Sequence, residues 1–218
     1  FYVNETMSNC HNSGAISIGD DITVTGVVAL SGVVNYLSAV TQTPTVTNCT
    51  NSGTLTVGKV TNTSGTGNSQ RLLIGGVIHS VSAGTISKCY NQQSATITVK
   101  TGDWTSRYMI GGLFGYIGQT ANITNQVVTM TESANYADVN VAPAGKIGTA
   151  QIGGLTSEAY AAATDPLDSV VFDGVHNYGA VNVSGTYTSK GYPRLGGLLG
   201  VVNMAVLEYK NCVNEGAI

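Results

Sequence analysis

The chain is built on a seven-residue unit that returns at a nearly constant interval. Cys10-His-Asn-Ser-Gly-Ala-Ile16, Cys49-Thr-Asn-Ser-Gly-Thr-Leu55 and Cys212-Val-Asn-Glu-Gly-Ala-Ile218 are its fullest copies. Val175-His-Asn-Tyr-Gly-Ala-Val181 keeps the frame with Val in the Cys slot. Ser133-Ala-Asn-Tyr-Ala-Asp-Val139 keeps it with Ser for Cys and Ala for Gly. Cys89-Tyr-Asn91 opens the same way, then carries extra residues before Ala95-Thr-Ile97. The first slot falls at 10, 49, 89, 133, 175 and 212. A fixed period of about 40 residues is the mark of a stacked repeat array, because one such repeat cannot bury an apolar face alone.

Each repeat carries a second half-motif: Ile74-Gly-Gly-Val-Ile78, Ile110-Gly-Gly-Leu-Phe-Gly115, Ile152-Gly-Gly-Leu155 and Leu195-Gly-Gly-Leu-Leu-Gly200, with a degenerate first copy read at Val24-Thr-Gly-Val-Val28. Apolar-polar alternation leads into the Cys slot and resumes after the following Gly, as in Gly53-Thr-Leu-Thr-Val57 and Gly179-Ala-Val-Asn-Val183. Alternation over four to eight residues reads as half-buried strand. One helical turn is conceivable only at Glu158-Ala-Tyr-Ala-Ala-Ala163, before Pro166. The expectation is all-β: a single β-helix repeat domain over 1–218, a right-handed parallel β-helix (β-solenoid) of about five coils with three short strands each. Phe1 and Ile218 both fall inside repeat units. A segment of a longer array is therefore expected, with end-to-end coil contact to further repeats or a partner subunit.

Asn12, Asn51, Asn91, Asn135, Asn177 and Asn214 recur at one phase and are expected to form a structural ladder. Asn suits a turn because it tolerates left-handed backbone geometry and can bond its own turn. The Gly-Gly pairs suggest a close approach of backbones. A slot that accepts Cys, Ser or Val is small and inward-facing, which predicts buried free thiols. Cysteines spaced by whole repeats supply no close-spaced ligand set, so neither a metal nor a cofactor is expected.

Charged residues make up 10% of the chain and the net charge is −3, so nucleic acid is not an expected partner. No run of about 18 apolar residues is present, hence no membrane-spanning helix. Asp20 and Asp21 are adjacent in sequence and would point to opposite faces of a strand. His11 and His176 share a slot several coils apart, too far to share a metal. No Ser-His-Asp or Cys-His arrangement emerges, and the chain reads as non-enzymatic.

Gly112-Leu-Phe-Gly115 and Gly197-Leu-Leu-Gly200, each leading to a Cys/Val-x-Asn-x-Gly unit, resemble the GLUG-type repeats of bacterial surface proteins, above all the long β-helical cell-surface proteins of Bacteroidota. The resemblance covers nearly the whole chain at repeat level. It departs in the first repeat, which lacks one Gly, and near Gln126 and Val127. It implies a secreted, extracellular, cell-surface adhesin or stalk that contacts a glycan or surface protein, and it brings no catalytic residues. Asp168-Ser-Val170 also resembles a short O-glycosylation signal of that phylum.

Four loops at one phase hold seven of the nine basic residues: Lys59, Arg71, Lys100, Arg107, Lys146, Lys190 and Arg194. Trp104, Tyr108, Tyr187 and Tyr192 lie in or beside them. Loops of equal phase project along one edge of a solenoid. These residues are the expected ligand-binding edge for carbohydrate or protein, since cations beside aromatic faces suit both. Trp104 is expected to be dispensable for stability. The alternative is a polysaccharide-active enzyme or its accessory carbohydrate-binding module.

Overall fold

The computed structural model describes residues 2–3, 6–38, 43–62, 70–118, 127–160, 169–186, 188–189, 193–203 and 206–218. Every sheet in it is parallel, and each strand pairs with the equivalent strand of the neighbouring repeat. One repeat unit shows the course of the chain. Thr45–Thr47 lies in sheet 1, Thr50–Asn51 in sheet 2, Leu55–Asn62 in sheet 3, Leu72–Gly75 in sheet 4 and Ile78–Val81 in sheet 5. Gly84–Ser87 then re-enters sheet 1 one rung on. This is the stacking of a β-solenoid.

A repeat thus contains five strands, where alternation alone suggested three. Sheet 2 was missed because its strands are two residues long, too short to alternate. Sheet 3 runs further than expected because bulges at Val57/Val60 and Val60/Asn62 shift the phase without ending the strand. Register also relocates the degenerate half-motif. Gly75 pairs with Ser31, so the first copy is Leu30-Ser-Gly-Val-Val34, not Val24–Val28. Glu158 to Tyr160 belong to the strand Thr156–Tyr160 rather than to a helical turn.

The left-handed backbone position is the residue before the Cys slot, not the ladder Asn. Asn9, Asn48, Lys88, Glu132, Gly174 and Asn211 occupy it, with φ between 47° and 63°. The ladder itself forms as expected. Each Nδ2 donates to the Oδ1 one rung on, from Asn12 to Asn51, Asn91, Asn135, Asn177 and Asn214, over 2.8–3.0 Å. Four of these six side chains are fully buried. Asn51, Asn135 and Asn177 also donate to the carbonyl two residues ahead, closing the turn that follows.

The ladder meets the Gly-Gly turns across the coil, and this contact fixes both motifs. A methyl on Gly112 would lie 2.2 Å from the Gly154 carbonyl oxygen and 2.3 Å from Asn135 Nδ2. Gly76 stands in the same relation to Asn91, and Gly154 to Asn177. No Cβ fits, so the coil is pinched into a waist. Two apolar cores result. One, between sheets 3 and 4, contains Leu55, Leu72, Ile74, Ile97 and Ile110. The other, between sheets 5 and 1, contains Ile78, Ile86, Phe114 and Phe172 with Cys49 and Cys89.

The Cys slot faces inward, and all four cysteines are free thiols. Cys10, Cys49, Cys89 and Cys212 each donate to the carbonyl two residues back. Ser133 makes the same bond through its hydroxyl. The slot therefore selects a small side chain with a donor, and Val175 fills it by volume alone. No helix among the described residues is long and apolar enough to cross a membrane.

Candidate functional site

Outside the waist, sheets 4 and 5 turn their outer faces toward each other. Ile74 faces the first core and Ile78 the second. Leu73, Met109 and Gln151 on sheet 4, with His79, Ser157 and Glu158 on sheet 5, point the other way and are nonetheless buried. A methyl on Gly115 would lie 2.8 Å from the Ile74 carbonyl oxygen, so the two strands lie back to back. The result is a narrow cleft filled by these side chains, with a polar mouth.

Side chains from successive rungs close that mouth. Arg107 Nη1 lies 3.6 Å from Glu158 Oε2, with the Glu158 side chain 4% exposed and that of Arg107 37% exposed. The Arg71 guanidinium sits 5.6 Å from the Tyr116 ring centroid. Burial pushes the Tyr116 hydroxyl up to about 12; Arg71 and Arg107 act against that rise, while Glu158 and Tyr160 add to it. All four groups are therefore within electrostatic reach of one hydroxyl. Among the described residues, two guanidinium groups face one carboxylate, which leaves one positive charge in excess. Glu158 Oε2 has no hydrogen-bond partner in this cluster.

The expected ligand-binding edge divides into separate places. Arg71 and Arg107 are at the cleft mouth. Lys59, Lys100 and Lys146 are exposed along sheet 3 and its outer margin. There they alternate with acids: Lys59 Nζ lies 4.0 Å from Asp21, and the Lys59 and Lys146 amides donate to Asp20 and Asp103 at 2.7 Å. An open hollow of about 190 Å³ beside Asp103 is lined by Gly145, Lys146, Thr186 and Thr188. Arg194 is exposed in the strand Arg194–Gly196. Tyr187, Lys190 and Tyr192 lie outside the described residues.

Trp104 and Tyr108 are not on a surface edge at all. Both are fully buried in the core between sheets 3 and 4, with ring centroids 6.0 Å apart in an edge-on arrangement. The bulges in sheet 3 rotate Trp104 inward, and Tyr108 opens the inward row of sheet 4 above Ile110. Burial raises the Tyr108 hydroxyl, which bonds Thr101. The exposed aromatics are elsewhere: Tyr136 and Tyr178 stack on the outer side of sheet 2 with centroids 4.9 Å apart.

Sequence reasoning also missed Tyr116, Glu158 and Tyr160. Their signal lay in the Gly-Gly register. Tyr116 and Glu158 each stand four residues after the second Gly, and Arg71 and Arg107 five before it. Among the described residues, no group of three or more His, Cys, Asp or Glu could hold a metal ion. Comparisons with protein-family models, with curated proteins and with solved structures find no match to this chain.

Proposed function

We propose that this chain is a non-enzymatic bacterial cell-surface solenoid, an adhesin or stalk wound right-handed in about five coils, that holds an acidic glycan or protein through the Arg71–Arg107 mouth. The observation that carries the proposal is the unbalanced pair of arginines on adjacent rungs, held by Tyr116 and Glu158. Guanidinium forks suit carboxylate and sulfate geometry, and a rigid mount reduces the entropy lost on binding. The GLUG-type motifs support the surface location.

The test is an array of acidic and neutral surface glycans and surface proteins. Arg71→Ala/Arg107→Ala/Glu158→Gln removes the mouth without leaving an unpaired buried charge. Lys59→Ala/Lys100→Ala/Lys146→Ala removes the lysine row. Binding to acidic targets that is lost in the first variant and kept in the second supports the proposal. The opposite pattern moves the site to sheet 3. A polysaccharide-active enzyme is the second reading, favoured by the buried Glu158 carboxylate beside Tyr116. Turnover of an acidic polysaccharide that Glu158→Gln abolishes would establish it.

A further inference from the structure

Three successive rungs place a sulfur at the same inward position. Cys10, Cys49 and Cys89 share one rotamer, since each thiol donates to the carbonyl two residues back at 3.3–3.4 Å. Their backbones are in ladder register: the Thr50 amide donates to the Cys10 carbonyl at 2.9 Å and the Tyr90 amide to the Cys49 carbonyl at 3.0 Å. Equal rotamers on an in-register ladder repeat the sulfurs at about the inter-strand spacing, 4.7–4.9 Å. That spacing is more than twice an S–S bond of about 2.05 Å, so the ladder opposes a disulfide. It does match two metal–sulfur bonds of about 2.3 Å laid end to end.

The surroundings choose the kind of ion. The column lies in the core between sheets 5 and 1, against Val46, Ile78 and Ile86. A hard cation would find no oxygen cage there, whereas sulfur ligands select soft ions such as cuprous copper. Cys10 is partly exposed and gives an entrance; Cys49 and Cys89 are fully buried. We propose that two adjacent sulfurs of this column, one of them Cys49, bind a monovalent soft d10 metal ion in linear two-coordination.

Charge balance sets the protonation. The ion forms one bond to the Cys49 thiolate and accepts a lone pair from a neighbouring thiol that keeps its proton. One proton leaves per ion bound, and the buried unit is neutral, as an apolar core requires.

Silver(I) is an air-stable probe for such a site. The whole chain is titrated, proton release is measured, and the thiols left free are alkylated and located by mass spectrometry. The first equivalent is expected to release one proton and to protect Cys49 together with one flanking cysteine. Cys49→Ser should lose that equivalent while remaining folded, because Ser133 shows that the slot accepts a hydroxyl making the same bond. Cys212→Ser should keep it. The proposal is overturned if each ion protects a single thiol, if Cys49→Ser binds the first equivalent as wild type does, or if two protons or none are released.

Discussion

Replacing Asn135 by Ala tests the asparagine row where it is fully buried. The side chain makes four hydrogen bonds. It accepts from Asn91 Nδ2 at 3.0 Å and from the Ala137 amide at 3.3 Å, and it donates to the Ala137 carbonyl and to Asn177 Oδ1 at 2.8 Å each. At about 1 kcal/mol net per bond the loss is about 4 kcal/mol. Leaving the Asn91 and Asn177 amides short of a partner in a dry waist adds to it, at about 1–3 kcal/mol for each orphaned group. Asn214→Ala is the control. Asn214 accepts from Asn177 at 2.8 Å and donates to the Gly216 carbonyl at 3.0 Å, but it is exposed, so water replaces what is lost and about 1 kcal/mol is expected. Guanidinium unfolding of both variants, compared at equal m-value, measures the difference. A gap of about 3 kcal/mol or more is expected between them. Equal midpoints, or a cost for Asn135→Ala below about 1 kcal/mol, would refute the claim that the row holds the waist together.

Trp104→Ala should destabilise by about 3–5 kcal/mol in the same assay, as for any fully buried large aromatic. Gly112→Ala should prevent native stacking, because the added carbon overlaps the Gly154 carbonyl at 2.2 Å; a normal circular dichroism melt would contradict this. Ile110→Asp, in the inward row of sheet 4, should unfold the array by burying an unpaired charge, and a stable variant would contradict the phase of that strand. Burial lowers His79 to about 4, so the folded state favours neutral imidazole. The stability this confers is present above the unfolded value of about 6.5 and is lost as pH falls through the window toward 4, by about 3 kcal/mol in full. Unfolding midpoints followed from pH 7 to pH 4 should drop in the wild type and much less in His79→Gln.

Much of the scaffold was legible because stacking repeats a local need at a fixed interval. Asn-x-Gly marks the turn that the ladder closes, and Gly-Gly marks the place where no Cβ fits. The left-handed residue was not legible, since Asn, Lys, Glu and Gly all fill it and no single type recurs. Trp104 misled because charged neighbours such as Asp103 and Lys100 made its stretch resemble a loop, while the bulged strand carried its ring inward. The cleft was hidden for another reason. Met109 and Gln151 alternate with core residues, which by itself says only that they take the outer face; the back-to-back packing of sheets 4 and 5 buries them. Glu158 read as the start of a conceivable helical turn, whereas it pairs with Arg107 from the preceding rung. Contacts across the outside of a coil leave no trace in alternation, because alternation reports only which face a side chain takes.

The central functional claim is that an excess guanidinium charge at the cleft mouth recognises an acidic polymer. Calorimetric titration of the chain with a uronic-acid oligosaccharide, and with the same oligosaccharide after its carboxylates are reduced to alcohols, tests it most directly. The account predicts binding of the acid form alone, weakened by salt and absent in Arg71→Ala/Arg107→Ala/Glu158→Gln. Equal binding of both forms, or undiminished binding by that variant, would contradict it.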